Sequence, residues 1–200
     1  MMKEKDIAKL RALNFHIMSL LAQKDRETLG HCRRVGTIYA VFAEYGWKCW
    51  GESISVMELI GELHDAGKIV MTNKALKTSR RLHGFEHILK ENHPLLGAEM
   101  VPLSLSIVRD PILCHHERFD GEGYPRGLKG KAIPESARAL SIVDTYDAMR
   151  KGRFYQSAKP DIAIMRELKE NIGRQFDARV FETFRAFTRV HKKLFAQVYP

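Results

Sequence analysis

The sequence has few or none of the features that mark secreted, membrane-spanning and disulfide-stabilised proteins. Only 3 of its 200 residues are cysteine, and none lies in a Cys-x-x-Cys pair, which argues against a disulfide framework and a zinc knuckle. No apolar run approaches the roughly 20 residues that cross a bilayer. The first ten residues, MMKEKDIAKL, contain no apolar signal-peptide core. We therefore predict a cytoplasmic globular protein with no membrane partner.

Acidic residues are outnumbered, since 24 Asp and Glu stand against 33 Lys and Arg, which gives a net charge of +9. This excess favours anionic partners. The basic residues are spread along the chain and are not interleaved with aromatic residues, so we expect no nucleic acid polymer as a partner. A small phosphorylated ligand fits better, with a solvated basic surface as the alternative.

Apolar residues recur at helical spacing over most of the chain, and no stretch alternates cleanly enough to predict a strand. We predict an all-α fold, a compact helical bundle with helices near 7–21, 27–45, 86–91, 95–109, 134–150, 160–171 and 178–198. Ser55 and Glu58 form a capping-box pattern that predicts the start of a further helix, ending near His64. The Gly-rich segment 119–131 predicts the longest loop.

Imidazole and carboxylate side chains form a pattern typical of a metal site. The candidate ligands are Glu27, His31, His64, Asp65, His93, His115, His116 and Asp144. Asp144 interrupts an apolar helix, where a carboxylate without a partner is costly. His93 stands before Pro94, which predicts a helix boundary there. Nitrogen and oxygen ligands suit iron, manganese or zinc, and this set is too large for one tetrahedral ion, so we predict two or three divalent ions.

Two motifs resemble those of the HD-GYP phosphodiesterases, a branch of the HD superfamily. They are HDAGK at 64–68 and HHERFDGEGYPRGL at 115–128, and shorter matches follow at 144–149, 153–155 and 176–177. The resemblance implies that residues 27–200 form an HD-GYP phosphodiesterase domain and that residues 1–26 are an N-terminal helical extension. Because so little sequence precedes this domain, we expect no fused sensor domain.

The resemblance also implies a role for each matching residue. The implied metal ligands are His31, His64, Asp65, His93, His115, His116 and Asp144, with Asp65 bridging two ions and Glu27 added where a third ion binds. For Glu27 the alternative is an ordinary solvated carboxylate. Lys68 is implied to lie near the scissile phosphate and to act with Asp65 in catalysis, although a surface lysine at a helix end is the alternative. Tyr124 and Arg153 are implied to contact the substrate.

The implied reaction is hydrolysis of cyclic di-GMP to linear pGpG, and further to GMP, by a hydroxide held between iron or manganese ions. Hybrid cyclic GMP-AMP is an open alternative substrate. A phosphohydrolase acting on mononucleotides is a second alternative, against which the Tyr124–Pro125 loop argues. A non-catalytic sensor is a third, suggested by Gln156, where the family usually has Lys, and by the altered segment 78–84. A homodimer is compatible with the sequence.

Overall fold

A computed structural model describes residues 1–76, 83–152 and 157–200. Apart from one isolated bridge between Ile172 and Phe176, every regular element in these ranges is a helix, which confirms the predicted all-α fold. The α-helices are α1 (Glu4–Lys24), α2 (Arg26–Trp47), α3 (Ile54–Leu63), α4 (Asn73–Leu76), α5 (Phe85–Glu99), α6 (Ser106–Cys114), α7 (Glu135–Lys151), α8 (Asp161–Glu170), α9 (Ala178–Val190) and α10 (Lys192–Val198). Short 3-10 helices occupy Lys48–Gly51, Ala66–Val70 and Gly130–Ala132.

Helix α2 runs through the centre of the bundle and packs against α1, α3, α7 and α9. Its apolar face is fully buried, as are the facing residues of α3 and α7. Where α2 crosses α3, a Cβ atom on Gly61 would lie 2.7 Å from the Gly36 Cα, so the two helices meet at backbone contact. This close crossing brings the end of α3 beside the first half of α2.

Pro94 lies inside α5, so the helix boundary predicted at His93–Pro94 is wrong. Proline has no backbone N–H and therefore leaves the carbonyl four residues earlier, that of Lys90, without its helical donor. The ring Nδ1 of His93 contacts that same carbonyl oxygen. The imidazole therefore satisfies the carbonyl that Pro94 cannot, and the helix continues to Glu99.

Three other predicted boundaries differ from the structure. The predicted helix 95–109 is divided between α5 and α6, because Pro102 disfavours helical backbone at the preceding residue. The N-cap of α3 is Ser53, whose hydroxyl contacts the Ser55 hydroxyl and caps no backbone N–H, so the predicted capping box is wrong. The predicted helix 178–198 is interrupted at His191, whose backbone leaves the helical region (φ −101°, ψ 36°).

Within the described ranges, no helix combines the length and the apolar character that a bilayer crossing requires.

Candidate metal centre

Three histidine side chains are oriented by the same local contact. The Nδ1 atoms of His64 and His115 each lie 2.7 Å from the carbonyl oxygen three residues earlier, and His93 makes the equivalent contact. All three residues lie within or at the end of a helix, where such a carbonyl faces the ring. An imidazole that donates from Nδ1 presents the lone pair of Nε2, which is the form that ligates metals.

His31 is oriented by a side chain instead of the backbone. Its Nδ1 lies 2.7 Å from Asp147 Oδ2, and its Nε2 lies 3.0 Å from Asp144 Oδ1. Asp144 and Asp147 are both on α7, one helical turn apart, and His31 is on the facing helix α2. Asp147 also accepts a bidentate pair of hydrogen bonds from Arg34, at 2.7 and 2.8 Å. Asp147 thus holds the His31 ring from the Nδ1 side, while Nε2 faces the candidate ligands.

The candidate ligands form two groups, and Asp65 lies between them. One group is His31, His64 and Asp144, the other is His93, His115 and His116, and a further set, His64, Asp65 and His115, joins the two. Asp65 Oδ2 lies 3.3 Å from His64 Nε2 and 3.7 Å from His31 Nε2. Asp65 Oδ1 lies 3.1 Å from His93 Nε2 and 4.0 Å from His115 Nε2. Each oxygen of one carboxylate therefore faces a different group.

Buried charge sets the protonation of these groups. Burial would raise the pKa of Asp65, but the charges of His64 and Lys68 outweigh it and hold the pKa well below its usual range. Burial and the neighbouring imidazoles lower the pKa of His115 to about 3. Burial would also lower the pKa of His31, but the adjacent carboxylates of Asp144 and Asp147 raise it to about 9. The carboxylates of Asp65, Asp144 and Asp147 thus stay ionised. Their negative charge favours a positively charged group between α2 and α7.

The donor set fits a divalent metal. His31 Nε2, His64 Nε2 and Asp65 Oδ1 are buried and find no hydrogen-bond partner in the part of the chain that the structure describes. An unsatisfied buried polar atom costs about 1–3 kcal/mol, and a metal ion, whose binding displaces the proton of His31, would satisfy imidazole nitrogen and carboxylate oxygen alike. Both groups offer imidazole nitrogen, the first adds carboxylate oxygen, and neither includes a thiolate.

A cavity of about 490 Å³ opens beside His31 and Asp65. Lys68 lines it, with its Nζ 2.6 Å from Asp65 Oδ2, and the Lys68 side chain is only 13% exposed, unlike the surface lysine of the alternative interpretation. Glu27 lies on the wall of the same cavity, although none of the three-residue ligand groups includes it. Arg26 and Lys151 add positive charge to this wall. The cavity volume is within the range of small-molecule sites.

The turn that carries His64 and Asp65 packs directly against α5. His64 ends α3, and Asp65 leaves the helical region with φ −98° and ψ 11°. A Cβ atom on Gly67 would lie 2.1 Å from the His93 carbonyl oxygen and 2.8 Å from the Gly97 backbone nitrogen. Only glycine allows this approach, which brings Asp65 within contact distance of His93.

The loop after His116 is held by the buried carboxylate of Glu117. It accepts hydrogen bonds from the backbone N–H groups of Arg126 and Leu128, at 2.7 and 2.9 Å. The Tyr124 ring lies beside the His116 ring, with centroids 4.9 Å apart, and the Tyr124–Pro125 peptide bond is cis. Asp120 forms an ion pair with Arg118 and accepts a hydrogen bond from the backbone N–H of Glu122, so it stabilises the loop. It lies in neither ligand group.

Replacing Glu117 with Gln is expected to lower the free energy of unfolding by about 1–3 kcal/mol, because Gln would place a buried NH2 group where a loop N–H now finds a carboxylate oxygen. Urea unfolding of the metal-free protein measures this change. Glu122→Gln is the matched control, since Glu122 is exposed on the same loop, and it should change stability by less than about 0.5 kcal/mol. Equal stability of both variants would contradict the role of Glu117.

Some positions singled out in the sequence lie outside the described residues, and two side chains that contact Asp147 were not predicted. Arg153, Gln156 and residues 78–82 lie outside the described residues. Arg34 and Tyr199, which both donate to Asp147, were not identified from the sequence. Arg34 lies three residues after His31 on α2, so its helical spacing offered a weak signal. Tyr199 is 52 residues from Asp147, and nothing in the sequence signals that contact.

Comparison with known proteins gives consistent results. The family model described as "HD domain" matches residues 17–180. A cyclic di-GMP phosphodiesterase of Thermotoga maritima is 32% identical over 84% of this chain and 47% of its own length. A cyclic di-GMP phosphodiesterase of Vibrio cholerae is 30% identical over 85% of this chain and 38% of its own length. The chain thus spans less than half the length of these relatives.

A solved structure shares the fold. The crystal structure of a cyclic GMP-AMP specific phosphodiesterase of V. cholerae superposes with a TM-score of 0.66 over 94% of this chain and 50% of that chain, at 17% identity. The family model covers most of the sequence, and its range includes both motifs as well as the two ligand groups that meet at Asp65. This chain therefore belongs to the HD domain family, in its HD-GYP branch.

Proposed function

We propose that this chain is the catalytic domain of a metal-dependent phosphodiesterase that hydrolyses cyclic di-GMP to linear pGpG, with further cleavage to GMP. The observation that carries the proposal is the arrangement of two ligand groups on either side of one carboxylate, beside a cavity of small-molecule size. The names of the relatives support cyclic di-GMP as the substrate.

The proposed metal ligands are the residues of the two groups together with Asp65. His31, His64 and Asp144 would hold one ion, His93, His115 and His116 would hold another, and Asp65 would give one oxygen to each. When bound, the ions supply Lewis acidity toward phosphate oxygens and lower the pKa of a coordinated water. We propose iron or manganese, because imidazole and carboxylate ligands without thiolate suit these ions. Glu27 is proposed as an added ligand of a third ion, which its position on the cavity wall supports.

Five further side chains have proposed roles in substrate binding or catalysis. The Lys68 ammonium, held by Asp65, would offset the charge that develops on the phosphate or give a proton to the departing 3′ oxygen. Tyr124, beside His116, would stack on a base or donate its hydroxyl. Arg153 would bind a phosphate through its forked guanidinium. Arg26 and Lys151 would attract a substrate that carries two phosphodiester charges.

The test is to purify the protein anaerobically with iron and manganese supplied, to count bound ions, and to follow cyclic di-GMP by chromatography. We expect two or three ions per chain and the appearance of pGpG, GMP or both, with no turnover after chelation. A Glu27→Gln variant that loses one ion and keeps the others would support the third site.

Three outcomes would redirect the proposal. A fully metallated protein that leaves cyclic di-GMP intact but opens hybrid cyclic GMP-AMP would change the substrate and keep the reaction. Hydrolysis of mononucleotides alone would favour another kind of HD phosphohydrolase. Binding of cyclic dinucleotides without turnover of any of them would favour the sensor alternative.

A further inference from the structure

Tyr199, just beyond α10, reaches the residues behind the metal centre. Its hydroxyl donates to Asp147 Oδ1 at 2.6 Å, across 52 residues of sequence. Asp147 is fully buried on α7, where it borders the cavity beside His31. A buried carboxylate is costly unless hydrogen bonds compensate for the loss of water. The Tyr199 hydroxyl supplies one of those hydrogen bonds.

The Tyr199 hydroxyl completes the hydrogen bonding of the Asp147 carboxylate. Oδ2 accepts from His31 Nδ1 and from Arg34 Nη2, at 2.7 and 2.8 Å. Oδ1 accepts from Arg34 Nε at 2.7 Å and from Tyr199. With two donors on each oxygen, the carboxylate has one orientation in which all four contacts are made. That orientation is the one that directs His31 Nε2 toward Asp144 and Asp65.

Packing fixes the position of the Tyr199 hydroxyl. The Tyr199 ring stacks on Phe195 of α10, with centroids 6.5 Å apart and planes 12° apart, and meets Tyr146 of α7 at 6.1 Å. The Arg150 guanidinium lies over the same ring, 5.4 Å from its centroid. Burial and the Asp147 carboxylate raise the pKa of Tyr199, so its hydroxyl keeps the proton that it donates. The contact to Asp147 therefore depends on how α10 packs.

We propose that Tyr199 is a positioning residue for the metal centre: through Asp147 it fixes the ring of His31, and so couples the packing of α10 to metal affinity. This inference rests on the proposed function, because it assumes that His31 ligates a metal. Carboxylates that accept from the second nitrogen of a ligating histidine orient the ring and raise its basicity, and disturbing them costs about 10- to 100-fold in metal affinity or activity. Tyr199 lies outside the residues that line the cavity beside His31.

The test compares Tyr199→Phe with Tyr146→Phe. Each variant loses one hydroxyl from the same aromatic cluster, but the Tyr146 hydroxyl donates to Asp161 Oδ1 at 2.7 Å and makes no contact with Asp147. The variants are titrated with Mn²⁺, and the visible absorption bands of the Co²⁺-loaded proteins report the geometry at the ions. We expect Tyr199→Phe to weaken one bound equivalent about tenfold and to shift the Co²⁺ bands, while Tyr146→Phe leaves both unchanged.

A double-mutant cycle with Asp147→Asn tests the route of the effect. If Tyr199 acts through Asp147, its replacement should cost little further affinity once Asp147 is Asn. Equal and additive losses in the two backgrounds would overturn the inference, as would a Tyr199→Phe protein that binds both metals as the wild type does. If Asp147→Asn does not fold, the comparison of the two tyrosine variants decides. A wild-type protein that binds no metal would refute the proposed function and this inference together, whereas tight binding by wild type and Tyr199→Phe alike refutes the inference alone.

Discussion

Replacing Asp65 with Asn is expected to reduce the hydrolysis of cyclic di-GMP by more than about a hundredfold, since losing a residue that merely orients a ligand already costs about 10- to 100-fold. Asn keeps the shape of the side chain but loses its charge, and it offers one oxygen where Asp65 offers two. Those two oxygens face His64 and His93, which belong to different ligand groups. Metal content and the rate of substrate loss are measured on the same preparation.

Asp110→Asn is the matched control for this substitution. Asp110 is partly exposed on α6, the helix that ends just before His115, so its replacement tests for a general effect of losing one negative charge near the site. We expect the control to bind metal and to turn over substrate at the wild-type rate. An Asp65→Asn protein that folds, holds both metals and keeps its activity would refute the role of Asp65 between the two groups.

Replacing Gly67 with Ala is expected to be the most damaging of the small substitutions. The added methyl group would lie 2.1 Å from the backbone oxygen of His93, and a backbone atom cannot turn aside as a side chain can. The turn after α3 would have to move away from α5, which separates Asp65 from His93. Overpacking of this kind costs about 1–3 kcal/mol, and we expect metal binding to be weakened as well. Urea unfolding and metal titration measure the two effects.

Gly46→Ala provides the comparison for Gly67→Ala. Gly46 lies within α2, and its added methyl group would meet the Thr183 methyl at 3.2 Å, a side-chain contact that small shifts can relieve. Alanine is favoured over glycine inside a helix by about 0.5–1 kcal/mol. The control should therefore be near neutral in stability and should bind metal normally. Equal losses in the two variants would contradict the importance of the contact between the turn and α5.

The sequence alone predicted most of the helices and the candidate ligands of the site. Helical periodicity depends on neighbouring residues only, so the central helix α2, the long helix α7 and the Gly-rich loop after Phe119 were predicted close to their observed bounds. The side chains that meet at Asp65 were all among the candidate ligands expected from residue type and from the family resemblance. Local rules failed where a side chain replaced a missing backbone contact, as His93 does for Pro94.

Only the tertiary structure decided how those residues are held. The sequence could not show that Asp65 directs one oxygen to each ligand group, because this follows from the approach of the Gly67 turn to α5. Nor could it show that Asp147 holds His31, or that Tyr199 completes the set, since these contacts join residues 116 and 52 positions apart. Contacts between residues so far apart in sequence depend on how the helices pack. Residue type and helical periodicity do not specify that packing.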